Sequence, residues 1–330
     1  MNVRRLIPTA AIASVTVLGL TTLSACSSSD AADKDGDGKL NVIASFYPMQ
    51  FLAQEIGGDH VSVETLTKPG VEPHDLELSP KQTASLGEAD FILYLKGIQP
   101  AVDDAIGQSG VKNTVDAATL TKLEKHGTEV GHDHEGEEHS DEHGDEHGDE
   151  HSEEGEAGAD PHIWLDPVKY AEVAEGVGKA MEKADPDHAA AYKKNTKDLV
   201  KKLDGLNTKF EDGLKNTKTK TFITTHSAFG YLAERYGLDQ EGIAGLDPES
   251  DPSPARIKEL QGIAKEDDVS TVFFETLASD KTAKTLAKDT GLKTDVLDPL
   301  EGITDKSKGD NYVEVMESNL AALEKALGAK

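Results

Sequence analysis

The sequence predicts an α/β protein built from two lobes. The chain has 330 residues, more than one hydrophobic core normally serves, so two lobes of roughly 100–150 residues each are expected. Short apolar runs alternate with helical patterns twice along the chain, and this alternation favours parallel sheets covered by helices on both faces. A long helical stretch separates the two series and provides a connection between the lobes.

The first series begins at Leu40 and defines an N-terminal lobe over residues 40–165. It reads as strand, helix, strand, helix and strand in the segments LNVIASFYP, MQFLAQEIGG, VSVETLTKPG, SPKQTASLGEA and DFILYLKG. The strand segments are short and apolar and are bounded by turn residues, whereas the helical segments repeat their apolar positions every three or four residues.

The middle segment, residues 166–216, is lysine-rich and helical in period. Asp166 before Pro167 is a favourable helix start, and the sequence DPD from Asp185 predicts a break. One helix of this segment is expected to bridge the lobes.

The second series supplies a C-terminal lobe over residues 217–330. Its segments are TFITTHS, AFGYLAERYG, QEGIAGL, SPARIKELQGIAKEDD, VSTVFFETL, SDKTAKTLAKDTG and KTDVLDPL, followed by a final helix over about residues 310–327. Ligands of open α/β sheets bind beyond the carboxyl ends of the strands, so a cleft between the lobes is the predicted site.

The N-terminus is typical of an export signal. Arg4 and Arg5 precede an apolar run, and residues 1–25 are interpreted as a signal peptide. The sequence LSAC resembles the bacterial lipobox, which implies that Cys26 is lipidated. The small, polar and charged residues that follow it predict that residues 26–39 form a flexible tether. A membrane-spanning anchor is the alternative, but Pro8 and several hydroxyl residues interrupt the run. We therefore expect an extracytoplasmic protein anchored to the membrane by lipid, in a cell that the lipobox and tether suggest is Gram-positive.

Charge and cysteine content narrow the possible ligands. The formal net charge is -28, which repels nucleic acid and attracts cations. Because Cys26 is the only cysteine, the exported part has no disulfide and no thiolate ligand. Any metal site must use nitrogen and oxygen.

A histidine-rich and acidic loop occupies residues 126–159. It has no apolar periodicity, carries many like charges and contains repeated glycines, so it cannot hold ligands in a preformed geometry. We interpret it as an accessory metal-binding loop that raises the local metal concentration. Its histidines are His126, His132, His134, His139, His143, His147 and His151.

Three histidines outside this loop stand at places where a ligand is expected. His74 follows the second strand pattern, His162 comes just after the acidic loop, and His226 ends the run TFITTH. Zinc accepts imidazole and carboxylate ligands in tetrahedral geometry when thiolate is absent. His60 and His188 are interpreted as solvated.

Four motifs identify a family resemblance. VEPHDLELSP, DPHIWLDP, THSAFGYLAERYG and LDPLEG resemble the signature segments of the zinc/manganese solute-binding lipoproteins of ABC importers, specifically the zinc-type members (ZnuA/AdcA type). The resemblance extends from about Leu40 to the C-terminus. It implies two similar lobes joined by a long rigid helix, with the metal between them bound by His74, His162 and His226. Manganese-type members have a carboxylate in place of His226, and three imidazoles favour zinc.

The sequence favours Glu301 as the fourth ligand and leaves two alternatives open. Glu301 in LDPLEG matches the acidic residue that some zinc-type members use, while others leave the position to water. Glu275 in VFFETL also ends a strand and is the competing candidate, or else a partner that orients a ligating histidine. Asp75, Asp160 and Asp166 are further candidates for that orienting role, although each could equally be a surface or capping residue.

The expected function is capture of Zn(II) and its delivery to the permease of an ABC importer. The chain has no GxxxxGK[ST] motif, so the ATPase must be a separate subunit. A monomer that binds no nucleic acid is expected. The alternatives are a zinc hydrolase with three histidines and a water, a manganese-binding member of the same family, and a lipid-anchored adhesin or metal buffer.

Overall fold

The computed structural model describes residues 38–126 and 159–330. The predicted signal peptide, Cys26 and most of the tether lie outside the described residues, and so do the loop histidines His132, His134, His139, His143, His147 and His151. Within residues 38–126 and 159–330, no helix has both the length and the apolar composition needed to cross a membrane.

Two four-stranded parallel sheets organise the described residues. The strands are β1 (Leu40–Ala44), β2 (Val61–Thr65), β3 (Phe91–Tyr94), β4 (Thr114–Asp116), β5 (Thr221–Thr224), β6 (Asp239–Gly242), β7 (Thr271–Phe274) and β8 (Lys293–Val296). The first sheet has the order β2-β1-β3-β4 and the second has the order β6-β5-β7-β8. The identical order shows that the two lobes repeat one topology.

Helices cover the sheets and connect the lobes. They are α1 (Tyr47–Gly57), α2 (Pro80–Glu88), α3 (Pro100–Ser109), α4 (Pro167–Ala184), α5 (Ala189–Leu214), α6 (Gly230–Tyr236), α7 (Pro254–Glu266), α8 (Lys281–Thr290) and α9 (Tyr312–Leu327). The prediction of two α/β lobes with mostly parallel sheets is confirmed.

Two elements of the N-terminal lobe were absent from the sequence prediction. Helix α3 begins at Pro100, a residue that suits the first turn of a helix, but its short apolar face gives a weak signal. Strand β4 has three residues, all only partly buried, and pairs with β3 at the sheet edge. A strand this short has too few alternating positions for a recognisable pattern.

The helical connection runs through α4 and α5. The side chain of Asp166 accepts a hydrogen bond from the Val168 N–H at 2.8 Å, which caps α4 as predicted. A single turn of 3₁₀ helix, Pro186–His188, makes the predicted break. Helix α5 has 26 residues, which gives a length of about 39 Å. It packs against α1 of the N-terminal lobe and α9 of the C-terminal lobe, so it is the long helix that spans both.

One hydrophobic cluster extends through both lobes. It contains Phe91 of the first sheet, Phe222 of the second and the fully buried Trp164. The indole N–H of Trp164 donates to the Pro299 carbonyl at 2.7 Å, and the Tyr312 hydroxyl donates to the Trp164 carbonyl at 2.6 Å. An interface that is large and apolar restrains relative movement of domains, so the cleft between these lobes is held by packing.

Candidate metal centre

His74 lies on the loop between β2 and α2. This loop turns at Gly70, whose φ of +82° is a conformation that glycine adopts without steric cost. The backbone N–H of His74 donates to Glu72 Oε1 at 3.2 Å, which fixes the loop just before the histidine. The His74 side chain is 11% exposed, so it lies at the solvent edge of the site.

His162 is fully buried and held by a single carboxylate. It precedes a short 3₁₀ turn, Ile163–Leu165, that packs into the core. Asp160 Oδ1 accepts from the His162 backbone N–H at 2.9 Å and contacts the ring Nδ1 at 2.7 Å. Because Nδ1 faces a carboxylate, the proton of the neutral ring resides there and the Nε2 lone pair is available to a metal.

His226, in the C-terminal lobe, is likewise held at its Nδ1 atom by a carboxylate. It stands two residues after β5, and Glu275 directly follows the neighbouring strand β7. Glu275 Oε1 lies 2.7 Å from His226 Nδ1 and 3.2 Å from the His226 backbone nitrogen. Glu275 therefore orients His226 from the side away from its Nε2 atom.

Glu301 lies on a conformationally constrained loop after β8. The preceding residue, Leu300, has φ +59°, a left-handed conformation that costs a bulky residue of order 1–3 kcal/mol and persists only where the surroundings enforce it. Asp298 Oδ1 accepts from the Leu300 N–H at 2.9 Å, and Asn319 Oδ1 accepts from the Asp298 N–H at 2.9 Å. Backbone strain of this kind is common at binding sites, and here it turns the Glu301 carboxylate into the cleft.

The four side chains converge at one place. Glu301 Oε1 lies 3.2 Å from the Nε2 atom of His74, 3.3 Å from that of His162 and 3.3 Å from that of His226. One ligand atom from each residue lies within 4.8 Å of all the others. A tetrahedron whose ligand atoms are about 2.0–2.1 Å from zinc has edges of about 3.3–3.4 Å, so the three separations from Glu301 Oε1 match three of the six edges of a tetrahedral zinc site.

Some buried nitrogen and oxygen atoms of these four side chains have no hydrogen-bond partner. Within the described ranges, His162 Nε2, His226 Nε2 and Glu301 Oε2 are buried and have no hydrogen-bond partner. Buried polar atoms without partners are rare because each costs about 1–3 kcal/mol. Two of them, the imidazole nitrogens, lie 3.3 Å from Glu301 Oε1 and indicate a position for a cation.

Opposing charges shift the pKa values of the metal-free site. Burial alone would lower the pKa of His226, but Glu275 and Glu301 hold it well above the usual value. Burial likewise opposes the rise in the pKa of His162, which Asp160 and Glu301 produce. The pKa of Glu301 is well below its usual range, because the nearby imidazoles outweigh the effect of burial.

The structure separates the remaining candidates by position. Glu275 lies behind His226 rather than at the convergence point. Asp160 holds His162, whereas Asp166 caps α4 and pairs with Arg235 at 2.6 Å. Asp75 is exposed.

Two histidines interpreted as solvated are in fact packed together. The rings of His60 and His188 stack with centroids 4.1 Å apart. His188 Nδ1 also contacts Asp185 Oδ2 at 2.6 Å. They come together because the turn before α5 lies against the turn before β2, a contact between segments far apart in sequence.

Glu72 is a residue near the site that sequence reasoning missed. Burial and the negative charge of Glu301 raise the pKa of Glu72 to about 8. Its position two residues before His74, in the same loop, was the available signal.

Comparison with known proteins shows the family to which this chain belongs. Residues 42–326 match the family model described as zinc-uptake complex component A, periplasmic. The zinc-binding lipoprotein AdcA of Streptococcus pneumoniae serotype 4 is 38% identical over 308 residues, covering 91% of this chain and 58% of that relative. The high-affinity zinc uptake system protein ZnuA of Bacillus subtilis is 39% identical over 317 residues, covering 93% of this chain and 94% of that relative.

A solved structure shows the same fold. The Zn(II)-bound ZnuA-like domain of Streptococcus pneumoniae AdcA superimposes with a TM-score of 0.69 at 33% identity, over 88% of this chain and 99% of that domain. The chain thus spans little more than half of the AdcA relative but almost all of its ZnuA-like domain and of the Bacillus protein. The chain belongs to the family of zinc-uptake complex component A.

Proposed function

We propose that this protein captures Zn(II) outside the cell membrane and delivers it to the permease of an ABC importer. His74, His162, His226 and Glu301 bind the ion as cargo. Lipid on Cys26 anchors the chain to the membrane, and a separate subunit supplies ATP hydrolysis. The zinc-uptake relatives and the Zn(II)-bound domain support this assignment.

One observation carries the proposal: three imidazole nitrogens lie 3.2–3.3 Å from a single carboxylate oxygen. A set of three nitrogens and one oxygen suits zinc better than manganese, which prefers oxygen-rich sites. The ligands come from separate loops of both lobes, so the ion cross-links them. The two carboxylates behind His162 and His226 keep both rings in the ligating tautomer.

The same arrangement favours capture over catalysis. A catalytic zinc keeps an open position for water or substrate, whereas a closed tetrahedral site uses four protein ligands. Glu301 supplies the fourth ligand atom here, so a hydrolytic water has no vertex of its own. His74, the ligand at the solvent edge, is the natural point of entry and release.

Replacement of His226 by alanine tests the proposal. We expect the tight zinc site to disappear, because one of the four ligands is removed. His60→Ala is the matched control, since His60 is the same residue type in a position remote from the site. Zinc content after dialysis and competition with a chelator measure both variants. Retention of tight zinc by His226→Ala would reject the cleft site and favour a metal buffer.

Deletion of residues 131–158 separates the cleft from the accessory loop. We expect the shortened chain to keep one tightly bound zinc ion and to lose weakly bound ions. An unchanged number of bound ions would show that the loop binds no additional metal under those conditions.

A further inference from the structure

The two ends of the histidine-rich loop are hydrogen-bonded to each other beside the metal centre. We call this contact, between Glu124 and Asp160, the neck of the loop. The Asp160 N–H donates to the Glu124 carbonyl at 2.9 Å. The Tyr231 hydroxyl accepts from the Glu124 N–H at 2.8 Å and donates to the Asp160 carbonyl at 2.8 Å. Tyr231 belongs to α6 of the C-terminal lobe, so the neck is fastened across the cleft.

His126 fills the centre of this neck. Its Nδ1 atom contacts Asp160 Oδ2 at 2.9 Å, and its Nε2 atom contacts Glu234 Oε2 at 3.1 Å. The ring packs edge-on against Tyr231 with centroids 4.5 Å apart. A metal ligand needs a lone pair directed at the ion, but both ring nitrogens of His126 face carboxylates of this chain. These contacts indicate a structural role for His126 rather than metal binding.

Helix α6 leaves space for the His126 ring because its first residue, Gly230, has no side chain. A Cβ atom on Gly230 would lie 2.4 Å from His126 Cβ and 2.9 Å from Asp160 Oδ2. Real Cβ atoms do not approach other atoms that closely, so only glycine allows the ring and the carboxylate to occupy this position. This is a second, independent sign that the contact between His126 and Asp160 is built into the fold.

Asp160 connects this neck to the metal centre. Its Oδ2 atom contacts His126, while its Oδ1 atom holds His162 at 2.7 Å. Rotation of a carboxylate about its last torsion is loosely restrained. An oxygen fixed on one side therefore limits the movement of the oxygen on the other side, and with it the orientation of the His162 ring.

We propose that His126 is a positioning residue for the zinc site rather than a metal ligand of the loop. It fixes Asp160 so that His162 presents Nε2 to the ion, and through Glu234 it ties the base of the loop to α6. This inference rests on the proposed function, because it specifies how one of the proposed ligands is held.

The test compares His126→Ala with His126→Asn in the full chain. The asparagine amide can occupy the place of Nδ1 and donate to Asp160 Oδ2, but it cannot reach Glu234. We expect alanine to weaken the tight site roughly three- to tenfold, less than the 10- to 100-fold typical of a group bonded directly to a metal-bound histidine. Asparagine should restore most of the loss.

Two further readouts distinguish positioning from a general structural effect. The visible spectrum of bound Co(II), which reports ligand geometry, should change in His126→Ala and recover in His126→Asn. Gly230→Ala should weaken the site at least as much as His126→Ala, because its Cβ would displace both the ring and Asp160 Oδ2 without altering the chemistry of either. Gly262→Ala is the control, since a Cβ there meets nothing within 4 Å.

The outcomes separate the two hypotheses. Absence of a tight site in the unaltered chain would overturn the proposed function itself. A tight site whose affinity and Co(II) spectrum are the same in His126→Ala would overturn only the positioning role. Failure of asparagine to restore the site would also overturn it, and so would loss of weakly bound zinc with an unchanged tight site, which would return His126 to the accessory loop.

Discussion

Isosteric replacement of two glutamates separates a direct ligand from an orienting carboxylate. Glu301 Oε1 faces three imidazole nitrogens at 3.2–3.3 Å. Glu275 Oε1 instead lies 2.7 Å from the far nitrogen of His226, and it also accepts from the His226 backbone N–H and the Thr225 hydroxyl. Glutamine keeps the size of either side chain and removes its charge, so any difference between Glu301→Gln and Glu275→Gln reflects position rather than bulk.

The expected losses follow from these positions. Glu301→Gln removes an anionic ligand, and we expect zinc affinity to fall at least about 100-fold, equivalent to about 2.7 kcal/mol. Glu275→Gln keeps an oxygen that accepts from His226 Nδ1–H, and we expect about a tenfold loss, or about 1.4 kcal/mol. The larger loss should belong to the residue at the convergence point.

A pH series sharpens this comparison. Burial lowers the pKa of His226, but Glu275 and Glu301 together hold it well above the usual value, so protons compete with zinc in the unaltered protein. Glu301→Gln removes one of these charges and weakens that competition. The affinity ratio between the unaltered protein and Glu301→Gln should therefore be larger at pH 8 than at pH 6.

Chelator competition measures the zinc affinities of the three proteins. Tryptophan fluorescence provides a second, optical measurement of binding. Trp164 is the single tryptophan of the chain, and its ring centroid lies 5.2 Å from that of His162. Its fluorescence can therefore follow binding at the cleft. An affinity of Glu301→Gln within threefold of the unaltered protein, or a larger loss in Glu275→Gln, would refute the assignment of the fourth ligand.

Two further predictions concern protons and packing. Burial opposes the shift, but neighbouring carboxylates raise the pKa of both His162 and His226, so zinc binding at pH 7 should release protons and weaken as pH falls. Calorimetry in buffers of different ionisation enthalpy measures this release, and an affinity that stays flat down to pH 5 would contradict it. Gly178→Ala would place a Cβ 2.2 Å from Thr196 Oγ1 and should reduce the free energy of unfolding by about 1–3 kcal/mol. Gly205→Ala, with nothing within 4 Å, should instead raise it by about 0.5–1 kcal/mol; urea denaturation distinguishes the two, and equal effects would contradict the packing argument.

The sequence alone determined the fold class and the identity of the candidate ligands. Alternating strand and helix patterns predict two α/β lobes because hydrophobic periodicity is a local property. For the same reason His74 and His226 could be recognised after strand patterns, and His162 just after the acidic loop. The single cysteine restricted the site to nitrogen and oxygen ligands. The family motifs added that these residues work together.

The tertiary structure alone decided which carboxylate lies on which side of each imidazole. Glu275 and Glu301 both follow strands of one sheet, and sequence reasoning could only favour one of them. The left-handed backbone at Leu300 turns Glu301 toward the Nε2 atoms, whereas Glu275 meets His226 at Nδ1. His126 reaches Asp160 because α6 has no side chain at Gly230. Such distinctions depend on loop conformation and on contacts between segments distant in sequence, which no local pattern encodes.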